Sequence, residues 1–269
     1  MNIFDFCPTK SSLKKSLGKN WIRVNDHPAS TATFLYGGEK IELIVPETER
    51  DDVELDIRLR VLYEDDDIAA VEKPPGIPTS GAKKRTLANA LWSNVEKSSK
   101  HDATRPFPVH RLDYETSGVV LIGKSNTAIR ALSELFASRE VRKTYFAITI
   151  GEMPLIGEIN NPLHDKSAYT RYEVQQSVES AKFGWLNLVK LIPETGRRNQ
   201  LRRHMKSIGS PILGDKKYGR EGLILTGKGL YLHAYSLEFI HPFFQERIEV
   251  LSTLPKKFGK IFPSPEKSK

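Results

Sequence analysis

The chain has 269 residues, 39% hydrophobic and 28% charged, which is the balance of a globular protein with room for one large domain and a small appendage. No run approaches the ~20 consecutive apolar residues of a membrane helix, the start MNIFDFCPTKSSLKK lacks the basic-then-apolar order of a secretory signal, and the lone Cys7 excludes an internal disulfide or a cysteine-built zinc cluster. A formal net charge of +8 with pI near 9.4 suits a polyanionic partner, and the base is focused: RRNQLRRHMK (197–206) holds five Arg or Lys and no acid, while acid gathers in PETERDDVELD and YEDDDI. The expectation is a cytoplasmic protein without membrane contact, with Cys7 a free or half-buried thiol.

Residues 8–45 read as a small unit. Leu13 and Leu17, one turn apart in TKSSLKKSL, predict a helix; WIRVND alternates like a strand entering an Asn-Asp turn; KIELIV predicts another strand. PETERDDVELDIRLR (46–60) breaks the pattern with proline and charge and is the expected linker, its second half open to being strand. Next, DIAAVEKP (67–74) predicts a strand ended by a Pro-Pro-Gly turn, and Thr86 caps a helix through LANALWSNV. The apolar run Val119 to Ile122 reads as a buried strand. Ser125 or Asn126 then caps a helix whose Ile129, Leu132, Leu135 and Phe136 form one stripe. KTYFAITIG is a strand, AYTRYEVQQSV and GWLNLVKLIP are alternating sheet neighbours, RNQLRRHMKSIG is a helix stopped at Gly209, and LYLHAYSLEFI is a strand. Strands outnumber helices and no repeat is present. The predicted fold is α+β, with a mixed, largely antiparallel central sheet, flanking helices and a small N-terminal appendage. The tail FPSPEKSK is expected to fray.

The segment VHRLDYETSGVVLI (109–122) crowds His110, Arg111, Asp113, Glu115, Thr116 and Ser117 against the mouth of the apolar run. Asp113 in such a turn either bonds nearby backbone N–H groups or does chemistry. The second reading needs a cation to keep the carboxylate ionised and another group to move protons. In KTYFAITI the period of two puts Phe146, Ile148 and Ile150 on a core face and Tyr145 opposite with Ala147, where a tyrosine can line a cleft. In TGRRNQLRRHMKSIG, Leu201, Met205 and Ile208 predict the buried stripe. Arg198, Arg202 and Lys206 flank it at four-residue steps, with Arg202 placed to reach inward; the same row also reads as a solvated helix face.

Together these blocks resemble the RluA-type pseudouridine synthases. HRLDYETSG agrees with the H-R-L-D-x-x-T-S-G signature at every fixed position. VEKPPGIPT (71–79) resembles the K-P-x-G segment, RKTYFAITIG the K-x-Y strand, and TGRRNQLRRHM the T-G-R-x-x-Q-[IL]-R-x-H helix entrance, with GDKKYG (214–219) and LHA (232–234) completing the order. The resemblance spans about residues 60–253. Upstream, SSLKKSLGKNWIRVNDHPASTATFLYGGEKIEL resembles the latter part of an S4-type RNA-binding module without its opening helix, which leaves an RNA-binding segment or a structural appendage. The implied division is a partial S4-like segment at 1–50, a linker at 51–60 and a catalytic domain at 61–269.

The resemblance implies an enzyme that breaks the N1–C1′ bond of a uridine in RNA, turns the uracil, and rejoins it through C5, with no cofactor and no metal. It implies that Asp113 is the nucleophile at C1′ or the base at C2′. Tyr145 packs on the base and helps remove the C5 proton, Arg202 pairs with the Asp113 carboxylate, and Arg111 enters the space of the flipped nucleotide. The implied substrate-binding set is Lys73, His110, Arg111, Thr116, Ser117, Arg197, Arg198, Gln200 and Arg203. The expected partner is structured RNA, ribosomal favoured over transfer RNA, met by a monomer. One departure from the pattern stands at Arg198 and Asn199, where the family commonly has Thr or Ser and then His. Two rival readings are a glycosidase, which ordinarily needs two cooperating carboxylates, and a non-catalytic RNA-binding or ribosome-assembly protein.

Overall fold

A computed structural model describes residues 10–44, 55, 57–81, 83–225 and 227–263, so Cys7, most of the first half of the expected linker and the last residues of the tail lie outside the described residues. The chain divides into two units, Met1–Val53 and Glu54–Lys269. In the first, α1 (Lys10–Gly18) precedes β1 (Ile22–Val24), β2 (His27–Pro28) and β3 (Ile41–Leu43), which form a three-stranded antiparallel sheet with β1 in the middle. The Asn-Asp turn read from the sequence joins β1 to β2, with Asn25 and Asp26 at φ of 47° and 66°. Positive φ at both central residues matches the twist of the strands.

The second unit is built on one ten-stranded sheet. Its strands are β4 (Arg60–Glu64), β5 (Ile68–Lys73), β6 (Ala103–Pro108), β7 (Ser117–Ser125), β8 (Arg142–Ile150), β9 (Ile156–Ile159), β10 (Thr170–Ser180), β11 (Gly184–Pro193), β12 (Leu232–Ile240) and β13 (Arg247–Leu251). The order is β4-β5-β7-β12-β8-β11-β10-β9, with β6 added on β7 and β13 on β12. Only β7 and β12 pair in parallel among the described residues, so the sheet is mixed and largely antiparallel, as read from the sequence.

Every residue of β7 is buried because both faces of the strand are covered. Val119 and Leu121 pack with Ala128 and Leu132 of α3 (Asn126–Ala137), whereas Val120 and Ile122 pack with Leu87 and Leu91 on the opposite side. A strand covered on both faces reads as a continuous apolar run and not as an alternation. The caps on these covers are the expected ones: Ser125 Oγ accepts from Ala128 N–H at 3.1 Å, and Thr86 Oγ1 accepts from Asn89 N–H at 3.2 Å. The Thr86 helix is shorter than expected, four residues of α2 (Leu87–Ala90) continued by a 3-10 turn at Leu91–Ser93.

The same two-sided cover limits the alternation argument on β8. Ala147, expected on the cleft face, is fully buried, and Phe146, expected in the core, is half-buried and meets Tyr235 edge-on at 5.0 Å. On α4 (Gln200–Ser207) Leu201 and Met205 are buried, but Ile208 lies past the last turn and is 36% exposed. Gly209, at φ +81°, ends the helix.

Candidate active site

The parallel pair sets the geometry. Gly118 lies opposite Ala234, Ala234 lies opposite Tyr145, and so the start of β7, the bulge in β12 and the middle of β8 form one row. Gly118 has φ +121°, and a Cβ there would sit 2.1 Å from the Ala234 carbonyl oxygen. Only glycine permits this approach. The loop before β7 is thereby brought over Tyr145.

That loop is pinned through its backbone. Thr116 N–H donates to the Asp113 carbonyl at 3.1 Å, Gly76 N–H donates to the Tyr114 carbonyl at 2.8 Å, and Thr79 Oγ1 bonds both the N–H and the carbonyl of Leu112 at 3.1 Å. Among the described residues no backbone N–H donates to the Asp113 carboxylate, so the turn leaves that group available.

Asp113, Arg111, Thr116, Tyr145, Arg198 and Arg202 line one cleft of about 340 Å³, together with Thr195, Arg197 and Asn199. A second cleft of about 400 Å³ shares Arg111, Tyr145 and Arg197 and adds His110, Phe136, Arg139 and Lys143. Burial pushes the half-buried Asp113 carboxyl above its ordinary value, and the charges of Arg202, Arg111, Arg198 and Lys73 oppose that rise. Burial, and secondarily the Asp113 charge, also raises the Tyr145 hydroxyl, which therefore stays protonated. Thr116 Oγ1 is buried without a hydrogen-bond partner among the described residues, a spare donor on the cleft wall.

Arg202 differs from its sequence reading. Its fork closes on Asp215 and not on Asp113: Nε and Nη2 each donate to an Asp215 carboxylate oxygen at 2.7 Å, and Nη2 reaches Glu115 at 3.3 Å. Asp215 is completed by Lys217 and Tyr218 N–H, both at 2.9 Å, and these hydrogen bonds with Arg202 outweigh the upward push of burial and hold its carboxyl below the ordinary range. What Asp113 receives from Arg202 is its electrostatic field.

Three residues expected to touch substrate are buried, and His110 is half-buried. Lys73 is fully buried and donates to the carbonyls of Pro74 and Ile77 at 2.9 Å and Tyr114 at 3.4 Å, so it braces the Asp113 loop; burial pulls its ammonium down to about 8. Ser117 Oγ bonds buried His233 Nδ1 at 2.9 Å. Gln200 spends its whole amide on Thr195, Arg197 N–H, the Tyr169 carbonyl and Thr170. His110 accepts from Leu121 N–H at 2.9 Å and stacks on Phe136 at 4.4 Å; burial, then Lys143, pulls it to about 3, so it is neutral where it lines the second cleft. Arg111 and Arg198 are exposed, Arg197 is half-buried on Ser167, and half-buried Arg203 lies outside both clefts.

Sequence reasoning missed Asp215, Tyr218 and Asn199 as neighbours of the centre, and named Glu115 in the polar crowd without giving it a role. Asp215 and Tyr218 lie in GDKKYG, already part of the ordered blocks, and Asn199 is one of the two departures. The carboxylate count also bears on the rival readings. Asp215 and Glu115 are engaged by Arg202, which leaves Asp113 without a free second carboxylate in its cleft, an arrangement unlike the acid pair of a glycosidase. No group of three or more His, Cys, Asp or Glu able to hold a metal occurs among the described residues.

The sheet carries a cleft that sets one carboxylate, Asp113, among arginines. The sequence profile described as RNA pseudouridylate synthase matches residues 67–207. The chain is 31% identical to ribosomal large subunit pseudouridine synthase C of Rickettsia felis, over 94% of this chain and 91% of that one. It is 34% identical to tRNA pseudouridine synthase C of Haemophilus ducreyi, over 77% and 95% respectively. Among solved structures, human RNA pseudouridylate synthase domain containing 4 superposes with a TM-score of 0.62 at 26% identity, covering 74% of this chain and 90% of that chain. The chain belongs to the RNA pseudouridylate synthase family. It is an enzyme that converts uridine in RNA to pseudouridine.

Proposed function

We propose that this chain modifies large-subunit ribosomal RNA and that Asp113 is its essential catalytic group. The observation that carries the second statement is the placement of Asp113: a carboxylate in no ion pair within 4 Å among the described residues, in a cleft with Tyr145, Arg111 and Arg198. In this reading Asp113 acts at the sugar, as nucleophile at C1′ or base at C2′. The N1–C1′ bond breaks, the uracil turns, the C5–C1′ bond forms, and the proton leaving C5 is replaced by one gained at N1. Tyr145, held protonated and packed beside Asp113, stacks on the uracil. Exposed Arg111 fills the gap left by the flipped nucleotide.

The ribosomal assignment is supported by the Rickettsia felis relative, whose match over 94% of this chain takes in most of the N-terminal unit. That unit presents exposed Lys14, Lys15 and Lys19 on or next to α1, cations suited to phosphates. A strand flanking the target also finds cations beyond the cleft, at Arg139, Arg142 and Lys143, beside Glu140 and the Arg171–Glu194 ion pair.

The test is a deletion strain complemented with the parent or with Asp113→Asn, with pseudouridines mapped in ribosomal and transfer RNA by carbodiimide-dependent stops. A large-subunit stop that vanishes in the deletion, returns with the parent and stays absent with Asp113→Asn is expected. Loss of an essential nucleophile or base removes on the order of four decades of rate. Stops lost only from transfer RNA refute the substrate, and an Asp113→Asn chain within tenfold of the parent refutes the residue.

A further inference from the structure

Asn199 stands directly before α4, in the position of a helix cap, yet its side chain makes no cap bond. Its backbone is left-handed, φ 54° and ψ 29°, a conformation that asparagine tolerates better than most residues. The side chain turns into the cleft. With its nitrogen facing Asp113, the amide donates to Oδ2 at 2.9 Å and Oδ1 at 3.2 Å, while its oxygen accepts from the Tyr218 hydroxyl at 3.2 Å. The opposite orientation sets the amide oxygen against the carboxylate, while its nitrogen donates to the Tyr218 hydroxyl at 3.2 Å and its oxygen keeps a 3.5 Å contact from Arg202. The hydrogen-bonding network therefore selects the first orientation.

Resting on the functional reading above, we infer that Asn199 is a positioning residue for Asp113: a neutral donor, anchored by Tyr218, that orients the carboxylate and favours its ionised form. It is also one of the two places where the chain departs from the pattern of its family. A helix start that gives up its own cap to reach a carboxylate is spending that side chain elsewhere.

The surroundings sharpen the argument. The cations around Asp113 are Arg202 on α4, Arg198 before it, Arg111 on the same loop and Lys73 at the end of β5. Arg202 is forked to Asp215, and Lys73 is taken up by three carbonyls. The acidic and titratable neighbours are Glu115, turned to Arg202, and the Tyr145 hydroxyl. Among the described residues, Asn199 is thus the side chain in hydrogen-bonding distance of both Asp113 oxygens. Hydrogen bonds to a carboxylate lower its affinity for a proton.

The test titrates the Asp113 carboxyl by carbon-13 NMR in the full chain without RNA, for the parent, Asn199→Gly, Asn199→Asp and Tyr218→Phe. Glycine removes the donor and accepts the left-handed backbone; aspartate keeps the shape and replaces the donor by a like charge. The Asp113 midpoint is expected to rise by about one pH unit in Asn199→Gly. It should rise further in Asn199→Asp and less in Tyr218→Phe. On an RNA the parent modifies, the acid limb of the single-turnover rate should move by the same amounts, so the deficit shrinks as pH rises. A midpoint unmoved in both Asn199 variants, or a rate lowered equally at every pH, overturns the inference. A parent that isomerises no uridine refutes the functional reading instead, and the titration still decides the role of Asn199.

Discussion

Replacing Asp215 by Asn tests the arginine fork directly. Asp215 has a fully buried side chain and Arg202 one that is 7% exposed, joined by two hydrogen bonds of 2.7 Å. Asparagine keeps the volume, removes the charge and turns one donor toward the guanidinium donors. Breaking a buried pair from one side costs about 3–5 kcal/mol, because the remaining ion stays desolvated. Glu115, at 3.3 Å, still offers Arg202 a carboxylate, which puts the expectation near the lower end, about 3 kcal/mol. For a unit of this size that is a drop of about 10 °C in Tm.

The pH dependence has a definite sign. Burial pushes Asp215 up, but Arg202 and the N–H groups of Tyr218 and Lys217 pull it further down, so its folded value lies below its unfolded one. Its contribution is therefore complete above the ordinary carboxylate value, about pH 4, and is lost as pH falls through the folded value. Thermal melts of parent and Asp215→Asn should differ by a constant amount near neutrality and converge in acid. The double variant Arg202→Met with Asp215→Leu should recover much of the loss, since no buried ion remains. A difference below about 3 °C at neutral pH, or a gap that persists unchanged into acid, would refute the reasoning.

Two further outcomes follow from the exposed cations. Arg111→Ala should melt with the parent, as its side chain is exposed, yet lose more single-turnover rate on a paired target than on an unpaired one, because unstacking costs a few kcal/mol; equal losses on both substrates would exclude an inserting role. Combined Ala substitutions at Arg198, Arg203 and Lys206 should flatten the dependence of log affinity on log salt by roughly 0.7 to 0.9 for each phosphate that is no longer neutralised, and a parental slope would make that row a solvated helix face.

Some of this was legible in the sequence for identifiable reasons. The run Val119 to Ile122 announced a doubly covered strand, and Thr86 and Ser125 announced their caps, because each signal depends on a few adjacent residues. Asp113 and Tyr145 could be read as sharing a cleft because HRLD and KTY mark a strand mouth and a strand face that the β7-β12-β8 row brings together. The partner of Arg202 was not found. Asp215 lies 13 residues further on, and only the fold brings it under the guanidinium. Gly214, at φ +78°, must approach Gly229 so closely that a Cβ would lie 2.0 Å from its carbonyl, and that approach is invisible before the loop is built. The roles of Lys73, Ser117 and Gln200 were misread for the opposite reason. Their signature positions are informative, but burial decides whether a polar side chain faces ligand or backbone.

The separation of Asp215 from Asp113 has a chemical consequence. Asp215 spends both oxygens on Arg202 and one of them also on the Lys217 and Tyr218 N–H groups, so turning it to attack or proton removal means giving up charge-assisted bonds inside a buried site. In this chain the fork is filled by Asp215, a buried acid outside the lining of the Asp113 cleft. Arg202 is thereby fixed in place, and its charge acts on Asp113 through space, with Arg111 and Arg198 adding to it. The direct contact at Asp113 is left to a neutral amide, which can follow the oxygens as they move and is weaker to break. A nucleophile or base needs to be both ionised and free, and assigning the two requirements to different neighbours meets both at once.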